Sequence, residues 1–429
     1  MRTSVYKSIS NSLEFKNQLL SWSNQFREVV FLDSNSETNN QNYSNYDLIL
    51  AVNAFTSIKT DYVNSFQDLH QYQSQTKDWL FGYLSYDLKN DIEDLKSNNF
   101  DGLNFPDLFF FQPKKLFLVK GNQLEIRYLK MCDDEIDFDF NEINQCSLFS
   151  AQCPEIEIKN RISKENYISK VTQMLDHIHR GDIYEANFCM EFYAENAKIE
   201  PLEIYRKLNA ISQPPFAVYF KNNSNFLLCA SPERYLKKED LKVISQPIKG
   251  TSKRSFDIES DELSKSELEN NPKERSENIM IVDLVRNDLS KTATKASVNV
   301  EELCQIYTFK QVHQMISTIV SEVENTTSPV EIIQTTFPMG SMTGAPKISA
   351  MNIIENLEET KRGLYSGAVG YFTPNGDFDF NVVIRSILYN AKNQYLSFSV
   401  GSAITSKSIP ESEYEECLLK AKAMFEVLQ

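Results

Sequence analysis

Strand-like runs in this 429-residue chain come in neighbouring groups rather than alternating with helices, and that order limits the folds open to it. Residues 29–32 and 48–52 are short aliphatic runs on either side of an Asn/Ser-rich loop, 34–46. Residues 108–111 and 116–119 read as a pair of strands joined through Pro113, and 217–220 with 226–230 as a hairpin. Between these groups, 163–180 carries Tyr167, Val171, Met174, Leu175 and Ile178 on one helical face and stops at Gly181; 183–192 then reads as a strand. Helical patterns follow at 261–269, 273–288 (opened by Pro272), 312–323 and 349–359. Strands return at 367–372, 382–389 and 395–400, before a closing helix over 411–428. A parallel sheet needs a crossover, usually a helix, between successive strands, and neighbouring runs do not supply one. The expected class is α+β, with antiparallel β-sheets packed together and flanked by helices.

Residues 132–142 are acidic and the stretch to Pro154 has little periodicity, which reads as a linker and predicts a boundary near 150, giving regions 1–150 and 151–429. The balance of 44 Lys and Arg against 59 Asp and Glu leaves a net charge of −15, which argues against nucleic-acid binding. It would also repel a dianionic substrate at long range, so such a substrate needs local cations or a metal. The seven cysteines, at 132, 146, 153, 189, 229, 304 and 417, include no C-x-x-C pair and read as reduced, mostly buried thiols. Residues 1–20 hold Arg2, Lys7, Glu14 and Lys16 without an apolar block, and no 18-residue apolar run occurs anywhere. The expectation is a cytoplasmic protein with no leader and no membrane span.

Of the 12 glycines, four precede residue 240 and eight follow from Gly250, so close backbone approach to a ligand is expected in the C-terminal half. Lys249 stands directly before Gly250 and Thr251, and a lysine held in such a pocket can act as nucleophile or base. Glu233, in Ser231-Pro232-Glu233-Arg234, would serve as a general acid if burial raised its pKa. Glu277 faces inward with Met280 and Ile281, whereas Asp283 and Arg286 are spaced to pair with each other. The closing helix brings Glu413, Glu416 and Lys420 together. Inward carboxylates from two helices suit Mg²⁺. The segment Gly340-Ser341-Met342-Thr343-Gly344-Ala345-Pro346-Lys347 can hold an anion at the helix it opens, without P-loop spacing, and Arg385 suits bidentate carboxylate recognition. His313 is the only histidine in a motif-like stretch. Each segment also has an ordinary reading: an exposed turn lysine, a surface Glu–Arg pair, a solvated helix face.

Taken in order, SPER, PIKGT, ENIMIVDLVRNDL, GSMTGAPK, LYSGAVGYF, VVIRS and EYEECLLKA resemble the chorismate-binding enzymes over roughly residues 160–428. Residues 31–34 and 82–87 resemble the family's amino-terminal region, which binds tryptophan in some members. The resemblance implies the anthranilate synthase component I-like fold. PIKGT resembles the aminodeoxychorismate synthase branch, of the p-aminobenzoate and folate pathway; anthranilate synthases usually have alanine where Lys249 stands. Isochorismate-forming members place a lysine base at the position of Glu185. The implied reaction binds chorismate through Mg²⁺ held by Glu277 and Glu416, with Glu413 beside them. Lys249 adds at C2, Glu233 protonates the departing C4 hydroxyl, and ammonia then displaces the lysine. Tyr365 and Arg385 would hold the enolpyruvyl carboxylate, Gly250, Thr251, Ser341 and Gly401 would line the pocket, His313 would lie beside the ring, and Lys420 would support it. No cysteine sits in a G-x-C-x-G-x-Q setting, so ammonia is expected from a glutamine amidotransferase partner, component II. Ala403, Asn278 and Glu185 depart from the common family pattern. The alternatives are anthranilate synthase component I, against which Lys249 argues, and a non-catalytic binder of chorismate or an aromatic amino acid.

Overall fold

A computed structural model describes residues 1–37, 42–147 and 156–429. Its strands pair antiparallel throughout their ladders. The α+β class expected from the neighbouring runs is the class found. Early and late strands interleave. Glu28–Asp33 pairs with Phe216–Asn222, and Leu80–Leu84 pairs with Ala368–Phe372 in a register that sets Gly82 opposite Gly370. A Cβ at Gly82 would lie 2.0 Å from the Phe109 carbonyl oxygen, so only glycine admits this approach. The boundary expected near residue 150 lies outside the described residues.

Successive side chains of one strand serve two cores, as the pleat requires. Val29 and Phe31 face a core shared with Leu19, Tyr167, Val171 and Met174, while Val30 faces an aromatic-rich one with Phe81, Phe110, Phe220 and Tyr371. Helix ends follow local chemistry. Asn271 caps Pro272–Ser290, its side chain accepting from the Lys273 and Glu274 amides, and Gly181, at φ +86°, closes Lys164–Arg180.

Four expected elements differ. Residues 312–323 carry a helical expectation, yet Val312–Glu322 is a strand with partners on both sides. Its β-branched residues (Val312, Ile316, Thr318, Ile319, Val320) favour the pleat. Burial on both faces removes the alternation that would mark a strand. The pair expected around Pro113 is one strand, Leu108–Lys120, with a register shift in its partner between Ala54 and Thr56. The acidic 132–142 stretch is no linker: Ile136–Gln145 is a helix burying Ile136 and Ile143, and Lys115 enters an ion pair with Asp139 at 2.5 Å. The run 382–389 divides into Phe378–Val382 and Ser386–Asn390, broken at Arg385. Of the described cysteines, five are buried and all six are free; Cys153 lies outside the described residues. No described helix is long and apolar enough to cross a membrane.

Candidate active site

Lys249 lies in the strand Ile248–Lys253, ahead of Gly250 at φ +103°. A Cβ at Gly250 would also press on Glu274 Oε2 and Met315 Cβ, each at 3.2 Å, so the positive φ calls for glycine and the close neighbours add to that preference. The Lys249 Nζ donates to Glu185 Oε1 at 3.0 Å. Burial pulls the lysine pKa down, but Glu185, Glu277 and Glu416 more than reverse this and hold it above the ordinary lysine value. The resting amine is therefore an ammonium. Glu185 opens the strand Glu185–Ala194, is 2% exposed, and keeps its Oε2 buried with no hydrogen-bond partner.

Glu233 occupies the short link between Asn225–Ser231 and Arg234–Glu239. The surface Glu–Arg pair that the local sequence allows does not form. Arg234 turns to Asp379, at 2.9 and 3.2 Å, while Glu233 is buried and accepts a hydrogen bond from Ser341 Oγ at 2.6 Å. Burial pushes the Glu233 pKa up to about 7 against the opposing pull of Ser341 and Lys249. Next to Ser341 the backbone is held by Arg362, whose guanidinium donates to the Met342 carbonyl at 2.6 Å, the Asn187 carbonyl at 2.7 Å and both Glu358 oxygens at 2.6 and 2.9 Å.

The carboxylates of two helices, Pro272–Ser290 and Pro410–Leu428, converge on the same region. Glu277 is buried, its Oε1 has no hydrogen-bond partner, and burial raises its pKa to about 7 against Lys249 and Lys273. Glu413 is buried and accepts from Ser402 Oγ. Burial alone would push Glu416 up, but Lys420, 2.6 Å away, with Lys249 and Lys273, brings it below the usual carboxylate value. Lys273 Nζ stands 3.8 Å from Glu277 and 3.9 Å from Glu413. Among the described residues no three His, Cys, Asp or Glu side chains are close enough together to hold a metal ion. The donor set still fits one. It is all carboxylate oxygen, the preference of a hard divalent cation, and the buried Glu277 Oε1 has no hydrogen-bond donor, Lys273 reaching it only at 3.8 Å.

Across the site, Arg385 has φ +53°, a left-handed conformation uncommon outside glycine. Its half-buried guanidinium has no hydrogen-bond or ion-pair partner among the described residues, and burial lowers its pKa. An uncompensated cation of this kind calls for an anion. Tyr365 is buried next to it, its hydroxyl raised well above the ordinary value first by burial and then by the Cys189 thiol. Lys420 Nζ donates to the Gly401 carbonyl at 2.9 Å, and a Cβ at Gly401 would meet Cys189 Sγ at 2.7 Å.

The fold thus brings Lys249, Glu233, Glu277, Glu416, Glu413, Lys420, Ser341, Gly250, Gly401, Tyr365 and Arg385 into one neighbourhood. Two expected residues stand apart. Thr251 is exposed one step further along its strand, and the buried His313 has both ring nitrogens engaged, Nδ1 by Thr308 at 2.9 Å and Nε2 by Asp261 at 3.1 Å. Sequence reasoning missed the Arg362–Glu358 lock and the direct Glu185–Lys249 contact. Nothing local marks either, although the i, i+4 spacing of Glu358 and Arg362 was readable as a pair.

The profile of the family described as chorismate binding enzyme matches residues 23–426. The chain is 35% identical over 387 residues to a probable chloroplastic aminodeoxychorismate synthase of Oryza sativa, covering 81% of this chain but 43% of that protein. It is 32% identical to aminodeoxychorismate synthase component 1 of Bacillus subtilis, over 81% of this chain and 76% of that one. It is 31% identical to anthranilate synthase component 1 of Saccharolobus solfataricus, over 81% and 80%. The fold resembles the crystal structure of anthranilate synthase component I from Streptococcus pneumoniae, with TM-score 0.77, 23% identity, and 90% and 93% of the two chains covered.

Proposed function

The chain belongs to the chorismate-binding enzymes, and on that premise we propose that it is component I of an aminodeoxychorismate synthase. It would convert chorismate and ammonia to 4-amino-4-deoxychorismate, the ammonia coming from a glutamine amidotransferase partner. The observation that carries this reading is Lys249, a half-buried amine hydrogen-bonded to Glu185 and surrounded by carboxylates. The reading also rests on the relatives named aminodeoxychorismate synthase.

Arg385 and Tyr365 would fix the enolpyruvyl carboxylate, answering the unpaired guanidinium. Glu277 and Glu416, with Glu413 behind them, would hold Mg²⁺, which when bound supplies positive charge for the ring carboxylate. Lys249 adds at C2 as the C4 hydroxyl leaves with the proton of Glu233. Ser341 keeps that acid aimed, and Lys420 holds the Gly401 backbone in the pocket wall. Ammonia then adds at C4 and expels the lysine. All these residues come from 151–429, which we read as the catalytic region, and 1–150 as the amino-terminal region that braces it.

The test is a product assay by chromatography and mass. The chain is mixed with chorismate, Mg²⁺ and an ammonium salt, with and without a chelator. Aminodeoxychorismate is expected, with product formation lost when the cation is removed. Anthranilate as the product would overturn the assignment in favour of the other branch, and no product with measurable chorismate binding would favour a binder.

Glu233 adds a pH prediction. Its acid form is the working one, so turnover at fixed free ammonia should fall as pH rises through about 7. Its folded pKa is raised, so the stability this proton contributes is present below the unfolded carboxylate value and lost as pH rises through about 7. Glu233→Gln should lower kcat by about 10²-fold and abolish that limb of the pH–rate profile; a variant that keeps the limb removes Glu233 from the acid role.

A further inference from the structure

A nucleophilic lysine that rests as an ammonium has no lone pair to give, so something must take its proton before it can attack carbon. We propose that Glu185 is that base, an inference that rests on the reading above. It is the one hydrogen-bond partner of the Lys249 Nζ among the described residues, at 3.0 Å. At 2% exposure it is shut off from bulk water, and its second oxygen is buried without a donor, leaving a lone pair free.

The surrounding groups have other work. From the 272–290 helix, Glu274 lies against Gly250 and Glu277 belongs with the proposed cation, as does Glu416 on the closing helix. Glu233 must carry its own proton to the leaving hydroxyl. Lys273 and Lys420, on those same helices, are cations and accept nothing. Glu185 alone combines direct contact with an uncommitted lone pair. The surrounding carboxylates favour the ammonium, so the transfer is uphill, and addition of the freed amine to carbon draws it forward.

An Nζ–H bond breaks while an O–H bond forms on Glu185, and the freed lone pair makes the Nζ–C2 bond. The ring double bonds C1=C2 and C5=C6 shift to C1=C6 and C4=C5, and the C4–O bond breaks, the oxygen leaving as water with the Glu233 proton. When ammonia adds at C4 the shifts reverse, the C2–Nζ bond breaks with its electron pair on nitrogen, and the lysine recovers its proton from Glu185. Glu233 is reprotonated from solvent.

The experiment compares wild type, Glu185→Gln and Lys249→Ala in the full chain with chorismate, Mg²⁺ and a fixed concentration of free ammonia. The amide keeps an oxygen for the Lys249 hydrogen bond but cannot take a proton. Expected for Glu185→Gln are a kcat at least about 100-fold lower, a KM for chorismate within about threefold, and a rate that now climbs with pH up to about 7, as solvent takes over deprotonation while Glu233 still holds its proton. Glu185→Asp, which keeps a base on a shorter arm, should recover part of kcat and the wild-type pH profile; it carries the test if Glu185→Gln melts well below the parent. Wild-type kcat and pH profile in Glu185→Gln, with Lys249→Ala inactive, would overturn the base assignment alone. Full synthase activity in Lys249→Ala would overturn the reading beneath it.

Discussion

Replacing Lys249 with alanine is expected to lower aminodeoxychorismate formation by about a thousandfold, equivalent to about 4 kcal/mol of activation free energy. The covalent route splits one displacement at C4 into two allylic ones, and no neighbouring group can replace its first half. The nearby side chains are carboxylates, or the lysines Lys273 and Lys420, which are engaged elsewhere. Binding should survive, because the anchors assigned to the substrate, Arg385 and Tyr365, are untouched. Removing the ammonium also relieves the pull it exerts on Glu277 and Glu233, so both carboxyls should titrate still higher in the variant. Equilibrium binding of chorismate and a steady-state product assay separate the two effects. Unchanged turnover would remove the lysine from the mechanism.

The largest stability effect is expected at Arg362. Arg362→Met strips the ion-pair partner from the buried Glu358, leaving it the Cys189 amide, and leaves the Met342 and Asn187 carbonyls without their donor. Removing one partner of a buried pair costs about 3–5 kcal/mol, and stacking of the guanidinium on Tyr86, 4.5 Å from the ring centroid, is lost as well. Denaturant unfolding should report that loss. Activity should fall further than stability explains, because Met342 neighbours the serine that aims Glu233. Replacing both members, Arg362→Met with Glu358→Leu, should recover much of the stability, since no buried charge is then left over. If the double variant is as unstable as the single one, the lock works through packing and not through charge.

The segments that proved legible in the sequence carry rare residue types at positions where only those types serve. Gly250 after Lys249, Pro272 at its helix start and Gly181 at a helix end each announce a backbone event, and the structure has each of them. What was not legible depends on contacts far apart in the chain. The strand Val312–Glu322 is buried on both faces, so its pattern loses the alternation that would distinguish it from a helix. The left-handed turn at Arg385 interrupts what reads as one run, since β-branched and aromatic neighbours advertise strand on either side. Glu185 and Lys249 are 64 residues apart, and no periodicity links them. His313 stood in a motif-like stretch, but its ring faces Asp261 and Thr308 instead of the carboxylate cluster.

The interleaving of early and late strands also sets a timetable for biosynthesis. Glu28–Asp33 and Leu80–Leu84 each keep an unpaired edge until Phe216–Asn222 and Ala368–Phe372 have emerged from the ribosome. At roughly 5–20 residues per second the second edge waits on the order of 15–60 s. Throughout that interval a hydrophobic strand with open backbone groups is a template for any passing chain. The nascent protein must therefore be shielded over that edge, and its yield in the cell will depend on how quickly translation delivers the last third of the polypeptide.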